Sequence, residues 1–300
     1  MAGPLFEAVP NFSEGRDLDK VSRIVEAVRS VPGVYVLDLH TDPDHNRSVI
    51  TMAGEEEPLV DAAGTLARVC AKEIDLSSQI GVHPRMGSLD VLPFVPLEGA
   101  TLEDAARLAR QAGESIGALG FAVYLYEAAA TTPNRRNLAE VRQGGYKGIS
   151  KRISTTGWAP DYGPETLSPN LGAVAVGARN FLVAYNAYLD TSDVEVAREI
   201  AAKIRGRDGG LPGLKALGLS VAGKAQVSMN LTDLGRTSLP DALEAVRREA
   251  TRYGASVEST ELVGLLPLEA LLQTARYYLK LPEIEDGHVL EANLWAQNGA

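Results

Sequence analysis

Two stretches of this chain run through the same order of elements, and that repeat constrains the fold more than any other feature. In the first half PLFEAVP reads as a strand, and Asp17 to Val31 reads as a helix with Val21, Ile24, Val25 and Val28 on one face. VYVLDL and SVITMAG are strands on either side of the polar loop HTDPDHNR, and a second helix runs from about Pro58 to Ile74. LDVLPFV is the next strand, and a further helix and strand follow in residues 102–116 and FAVYLYEAA. From Asn180 the order returns. NFLVAYNAYL is a strand, Asp193 caps a helix through Ile204, LKALGLSVAG and KAQVSMNLTD pair, Leu239 to Tyr253 is helical, and ASVESTELVG is a strand. PLEALLQTA closes as a helix with Pro267 at its start. Each pass is β-α-β-β-α-β, the split-βαβ signature. The expectation is an α/β (α+β) protein of two similar ferredoxin-like βαββαβ halves. Each half is a sheet with helices on one face, and a cleft between them takes the ligand. The domains are set at residues 1–179 and 180–300.

The net charge of −10, from 39 acidic and 29 basic side chains, repels polyanions and argues against a nucleic-acid partner. No apolar run has membrane-spanning length, and MAGPLFEAVPNF lacks the basic start of a signal peptide. The single cysteine, Cys70, lies in a helical stretch as a packing residue, which fits a cytoplasmic protein. Small anionic ligands remain open to such a chain wherever basic residues gather locally.

One place where they gather is the joining region, residues 131–179, rich in Gly, Pro and Asn and weak in periodicity. A long irregular stretch inside a compact protein is usually functional or disordered. Tyr146, Trp158 and Tyr162 favour an ordered binding segment. Arg135, Arg136, Lys147, Lys151 and Arg152 there form either a solvated face or a carboxylate-capturing patch. The second place is GVHPRMGSLDVLPFVPL. His83 precedes Pro84, which pushes its backbone to an extended path ahead of a buried strand. Its ring is either satisfied by nearby backbone or held ready for proton transfer.

Other motifs fail on context. GESIG at 113–117 falls at the end of a helix rather than on a strand-to-helix elbow. No G-x-G-x-x-G follows a strand and no Walker sequence occurs. DLHTDPDHNR could offer His40, His45 and three aspartates to a metal, but Asp, Pro and Asn also build turns, and the expectation is no metal.

Eight blocks in order resemble the formiminotransferase family, the glutamate formimidoyltransferases. They are VPNFSEGRD (9–17), NRS (46–48), HPRMGSLDVLPFVP (83–96), YLY (124–126), WAPDYGP (158–164), GARNFLVAYN (177–186), AQVSMNLTD (225–233) and LVGLLPLEALL (262–272). The resemblance implies two α/β halves around a folate tunnel, with His83 as the catalytic residue and Gly163 to Gly172 as a folate-contacting segment. It also implies substrate and folate contacts at Asn11, Asp38, His40, Asn46, Arg47, Tyr126, Arg136, Asp161, Tyr162, Gly163, Asn170, Gly172 and Asn230. The implied reaction moves a formimino group from N-formimidoyl-glutamate to tetrahydrofolate, a co-substrate, with no metal. N5 attacks the formimino carbon, and an imidazole takes a proton from one nitrogen and gives it to the other. The implied form is a cytoplasmic homodimer without the cyclodeaminase domain fused to some members, working beside a separate cyclodeaminase. Vertebrate-type members differ at several points. They have an acid where Val82 stands, an acid where His40 stands, glycine where Glu127 stands, glutamate where Ala128 stands, and GEYE where this chain has GGYK. Formyl transfer on the same scaffold, or folate binding without transfer, are the alternative readings.

Overall fold

The computed structural model describes residues 3–79 and 85–297, which form two compact units, Met1–Asn180 and Phe181–Ala300. No helix among the described residues is long and apolar enough to cross a membrane.

The first unit begins with two short strands, β1 (Phe6–Ala8) and β2 (Asn11–Phe12), then α1 (Leu18–Arg29). Strands β3 (Val34–Asp42) and β4 (Arg47–Gly54) form a hairpin, followed by α2 (Glu56–Glu73), β5 (Leu89–Pro96), α3 (Leu102–Gly117) and β6 (Ala122–Glu127). Two short helices, α4 (Leu138–Val141) and α5 (Gly145–Arg152), lead to β7 (Ala173–Ala178). The sheet runs β1-β4-β2-β5-β7-β6, with β3 on the outer side of β4. All pairings are antiparallel except those of β7, which lies parallel to β5 and β6 between them.

Local chemistry explains the helices on one face. Asp17 accepts from the Lys20 amide at the start of α1, and Thr101 and Asp104 make a reciprocal capping box at α3. Val21, Ile24, Val25 and Val28 of α1 are buried, as their spacing predicts. They pack with Leu59, Leu66 and Cys70 of α2 and Leu108 and Ala112 of α3 against Phe6, Phe94, Val123, Leu125 and Val176 of the sheet. At about 25 cal/mol per Å² of apolar area removed from water, this layer dominates the unit's stability.

The 131–179 region is more ordered than its composition suggests. Val141 of α4 and Ile149 of α5 cover the opposite face, packing on Val91, Ala122, Tyr124, Tyr126, Ala173 and Ala175. Strand β7 itself was not expected there. Its sequence AVAVGA is buried along its whole length, so it has no alternation to read. Asp161 and Tyr162 then lie along the outer edge of β6, where Val123 bonds both backbones, and so cover that edge.

The second unit is β8 (Val183–Leu189), α6 (Val194–Ile204), β9 (Leu214–Val221), β10 (Lys224–Leu231), α7 (Leu239–Arg252), β11 (Val257–Val263), α8 (Leu268–Leu279) and α9 (Leu290–Gln297). The first six follow the β-α-β-β-α-β order, in a fully antiparallel sheet arranged β11-β8-β10-β9. Asp193 caps α6 through the Glu195 amide, and Ser238 and Asp241 form a capping box at α7. Ile200, Ile204, Val246 and Ala250 of these helices pack on Val183, Ala187, Val227 and Met229.

Candidate active site

Asp90 sits near the start of β5 and is fully buried, a carboxylate inside an apolar strand. Such a group needs partners, and among the described residues three donate to it. The Met86 amide donates to its Oδ1 at 2.6 Å. Arg47 Nη1 and Arg142 Nη2 donate to its Oδ2 at 2.6 and 2.7 Å. Arg47 also donates from Nε and Nη2 to Asn11 Oδ1, at 3.1 and 2.7 Å, while Asn11 Nδ2 donates to the Val9 carbonyl. Two of the sequence-predicted residues, Asn11 and Arg47, are thus brought together around an acid that was not foreseen.

Arg85 adds a third guanidinium. Burial pulls Arg85 below the usual arginine range, with Asp90 opposing and Arg16 adding to the fall. Burial does the same to Arg47, where Asp90 opposes and Arg142 and Arg85 add. The centre is therefore richer in positive charge than Asp90 can balance. Its supporting loop is rigid. Ser13 Oγ donates to the Gly87 carbonyl at 2.7 Å, and Glu14 Oε1 accepts the amides of Gly15, Arg16 and Asp17. Asn46, held at φ 48°, accepts the Gly15 amide at 2.9 Å and donates to Gln79.

Tyr126 is buried on the same face as Val91, with Arg179 acting on its hydroxyl. Burial pushes that phenol up, while Arg179 and Arg142 pull the other way. Arg179 also opposes the rise that burial imposes on the Glu7 carboxyl of β1.

The remaining predicted residues lie apart. Asp38 and His40 are on the edge strand β3, His40 exposed. Arg136 is exposed beyond a short 3-10 turn, and Asn230 is on β10 in the second unit. Asp161 is occupied internally. Its carboxylate accepts the Leu125 amide at 2.8 Å and pairs with the Thr131 hydroxyl and buried Arg135. Arg135 Nη2 donates to the carbonyls of Gly157 and Ala159, and the guanidinium lies 5.0 Å from the Tyr124 ring centroid. Arg135 therefore cannot belong to an exposed anion-capturing patch. Arg152, which donates to the Val141 carbonyl and lies 4.1 Å from the Trp158 ring centroid, is also engaged, which leaves Arg136, Lys147 and Lys151 there. The Tyr162 ring lies against Gly113 of α3 and its Cβ against Gly117, with the helices rather than with Arg47. Gly163 (φ +84°) and Gly172 (φ +71°) are backbone requirements, because an added Cβ would lie 1.9 Å from the Phe121 carbonyl oxygen and 2.2 Å from that of Met86. The Asn170 carbonyl accepts the Leu76 amide. His83 lies outside the described residues, two positions before Arg85.

In the DLHTDPDHNR loop, His45 Nδ1 contacts the Asp42 carboxylate, and among the described residues no group of three metal-ligating side chains assembles. A cavity of about 230 Å³ in the second unit, lined by Tyr185, Leu243, Leu262, Leu271 and Tyr278, is apolar and offers little to an anion. Sequence reading missed Asp90, Arg85, Arg142, Glu7 and Arg179. The available signal was an acid embedded in an apolar strand, at Asp90 in SLDVLPF and Glu7 in PLFEAV.

The chain is thus an α/β protein of two units whose first unit carries an arginine-rich centre around Asp90. Residues 5–179 match the formiminotransferase domain, N-terminal subdomain, and residues 184–292 match the formiminotransferase domain. The chain is 45% identical to the glutamate formimidoyltransferase of Thermoplasma acidophilum over 97% of each chain. It is 40% identical to that of Streptococcus pyogenes over 94% of this chain and 95% of the relative. It is also 40% identical to the formimidoyltransferase-cyclodeaminase of Mus musculus, over 95% of this chain and 54% of that longer protein. The chain belongs to the formiminotransferase family.

Proposed function

We propose that the chain transfers the formimino group of N-formimidoyl-L-glutamate to N5 of tetrahydrofolate, releasing L-glutamate and 5-formimidoyltetrahydrofolate. The step belongs to histidine degradation and feeds one-carbon metabolism. The observation that carries the reading is the excess of arginine over carboxylate at Asp90, directly after the HPRMG motif. Donor and folate tail are both anionic, and in a chain of net charge −10 they need such a local excess.

N5 attacks the formimino carbon and forms a tetrahedral intermediate, which collapses by breaking the bond to the glutamate nitrogen. The attacking nitrogen loses a proton and the leaving nitrogen gains one. His83 is assigned both transfers, since imidazole titrates near neutrality. Arg47, fixed by Asn11 and Asp90, orients the anionic substrates, and binding both in one site supplies much of the remaining rate. The steps call for proton transfer rather than a Lewis acid. Asp38, His40, Asn46, Tyr126, Arg136, Tyr162, Asn170 and Asn230 are carried as further contacts by the resemblance alone, as is the cytoplasmic homodimer.

The test is incubation with tetrahydrofolate and N-formimidoyl-glutamate, following the 5-formimino product by absorbance. Product formation at an enzyme-dependent rate supports the reading. Turnover with N-formyl-glutamate alone, or folate binding without any transfer, replaces it.

A further inference from the structure

Arg85 is the unfinished part of the arginine centre. Its Nη1 and Nη2 are both buried, and among the described residues neither has a hydrogen-bond partner. Leaving such donors buried carries a desolvation cost that a bound acceptor removes. The backbone there is held on both sides. The Arg85 carbonyl accepts the Tyr146 amide at 2.8 Å, and the next amide, of Met86, donates to Asp90. The nearby acids are already engaged. Asp90 serves Arg47 and Arg142, and Glu14 serves three amides and Gln79 Nε2.

We propose that Arg85 binds the α-carboxylate of the glutamate donor through Nη1 and Nη2. The inference rests on the transfer reading above and names the residue that holds the donor. Two terminal guanidinium nitrogens form a planar fork that matches a carboxylate. Position selects which carboxylate. Arg85 is two residues along the chain from His83, the residue assigned the proton transfers. In the donor, a single carbon separates the α-carboxylate from the reacting nitrogen. In folate, the whole aminobenzoyl bridge separates the tail carboxylates from N5. A guanidinium carried two residues along the chain from the proton-transferring one is placed for the donor's α-carboxylate rather than for the distant folate tail.

The test pairs enzyme and substrate changes. Arg85→Ala and Arg85→Lys are compared with the unaltered protein on N-formimidoyl-glutamate and on its α-carboxamide and γ-carboxamide analogues, with circular dichroism to confirm folding. Arg85→Ala should raise the donor KM about 10- to 100-fold with kcat changed less than about threefold. The α-carboxamide should be penalised in the unaltered protein and not in Arg85→Ala, and added guanidinium ion should restore part of the lost affinity. Loss of the γ-carboxamide penalty instead, or a change confined to folate tail-length dependence, overturns the assignment. So does a kcat loss with unchanged KM. Thermal shift with L-glutamate against its α-carboxamide, isoglutamine, separates this proposal from the reaction itself. An Arg85-dependent preference for glutamate in a protein that transfers nothing keeps the site and discards the reaction. No preference in a protein that does transfer discards the site alone.

Discussion

The first unit contains two buried arginine–aspartate centres, and they are finished to different degrees. Around Asp161 one arginine meets one carboxylate. Arg135 Nη1 pairs with the acid and Nη2 reaches two carbonyls, while the acid's other contacts are the Thr131 hydroxyl and the Leu125 amide. Around Asp90 the numbers do not balance. Two arginines share one oxygen, and Arg85 stands by with both terminal nitrogens unpartnered among the described residues. A balanced buried pair fixes a loop against a strand, here residues 157–161 against β6. An unbalanced one leaves attraction for something that arrives from outside. Burial of charge alone therefore does not mark a functional site. The surplus does.

Removing the acid of the balanced centre has the largest expected effect. Asp161→Ala strands Arg135 and should cost about 3–5 kcal/mol of stability by urea denaturation. The kcat and KM of the folded fraction should stay within about threefold. Severe loss of activity at unchanged stability would move the catalytic role to the balanced centre. Next in size is His83→Ala, expected to lose at least about a hundredfold in kcat, about 2.7 kcal/mol of barrier, with little change in folate affinity. A loss below about fivefold would make the imidazole a packing residue.

A third experiment concerns what remains of the outer basic patch. Arg136, Lys147 and Lys151 are exposed, so any hold they have on a glutamyl tail is screened by salt. Folate affinity should fall with ionic strength, more steeply for ligands with several glutamates than with one. Equal slopes would remove these residues from the binding surface.

Glu7 provides a smaller, signed effect. Burial raises its carboxyl above the ordinary range, and Arg179 only partly opposes this. The folded chain then holds that proton more tightly than the unfolded chain does. Glu7's contribution to stability should be greatest below the ordinary carboxyl pKa and be lost as pH rises through the raised value. Glu7→Gln should flatten that part of the Tm-against-pH curve, and an unchanged curve would show that Glu7 is not the titrating group. The smallest effect is at Glu127, held at φ 51°, a left-handed backbone that favours glycine. Glu127→Gly should leave stability within about 1 kcal/mol of the original, while Glu127→Val should lower it clearly.

What the sequence made legible was whatever depends on neighbours along the chain. The valines and isoleucine of α1 recur at helical spacing, Asp193 caps its own helix, and the second unit's first six elements come in the predicted order. What it hid depends on partners far away. Arg135 looked like one of five free cations because Asp161 is 26 residues downstream. Arg142 lies 52 residues from Asp90, and nothing local ties them. β7 escaped because a strand covered on both faces needs only small apolar residues, without alternation.

That strand has a consequence for synthesis. It is the last element of its unit to leave the ribosome, yet its place is in the middle of the sheet, between β5 and β6. Until residue 178 has emerged, β5 and β6 each show a bare row of amides and carbonyls to the other nascent chains of a polysome. A chain released at residue 170 should accordingly aggregate where one released at residue 180 stays dispersed. Pauses in translation over the intervening codons would set how long that exposure lasts.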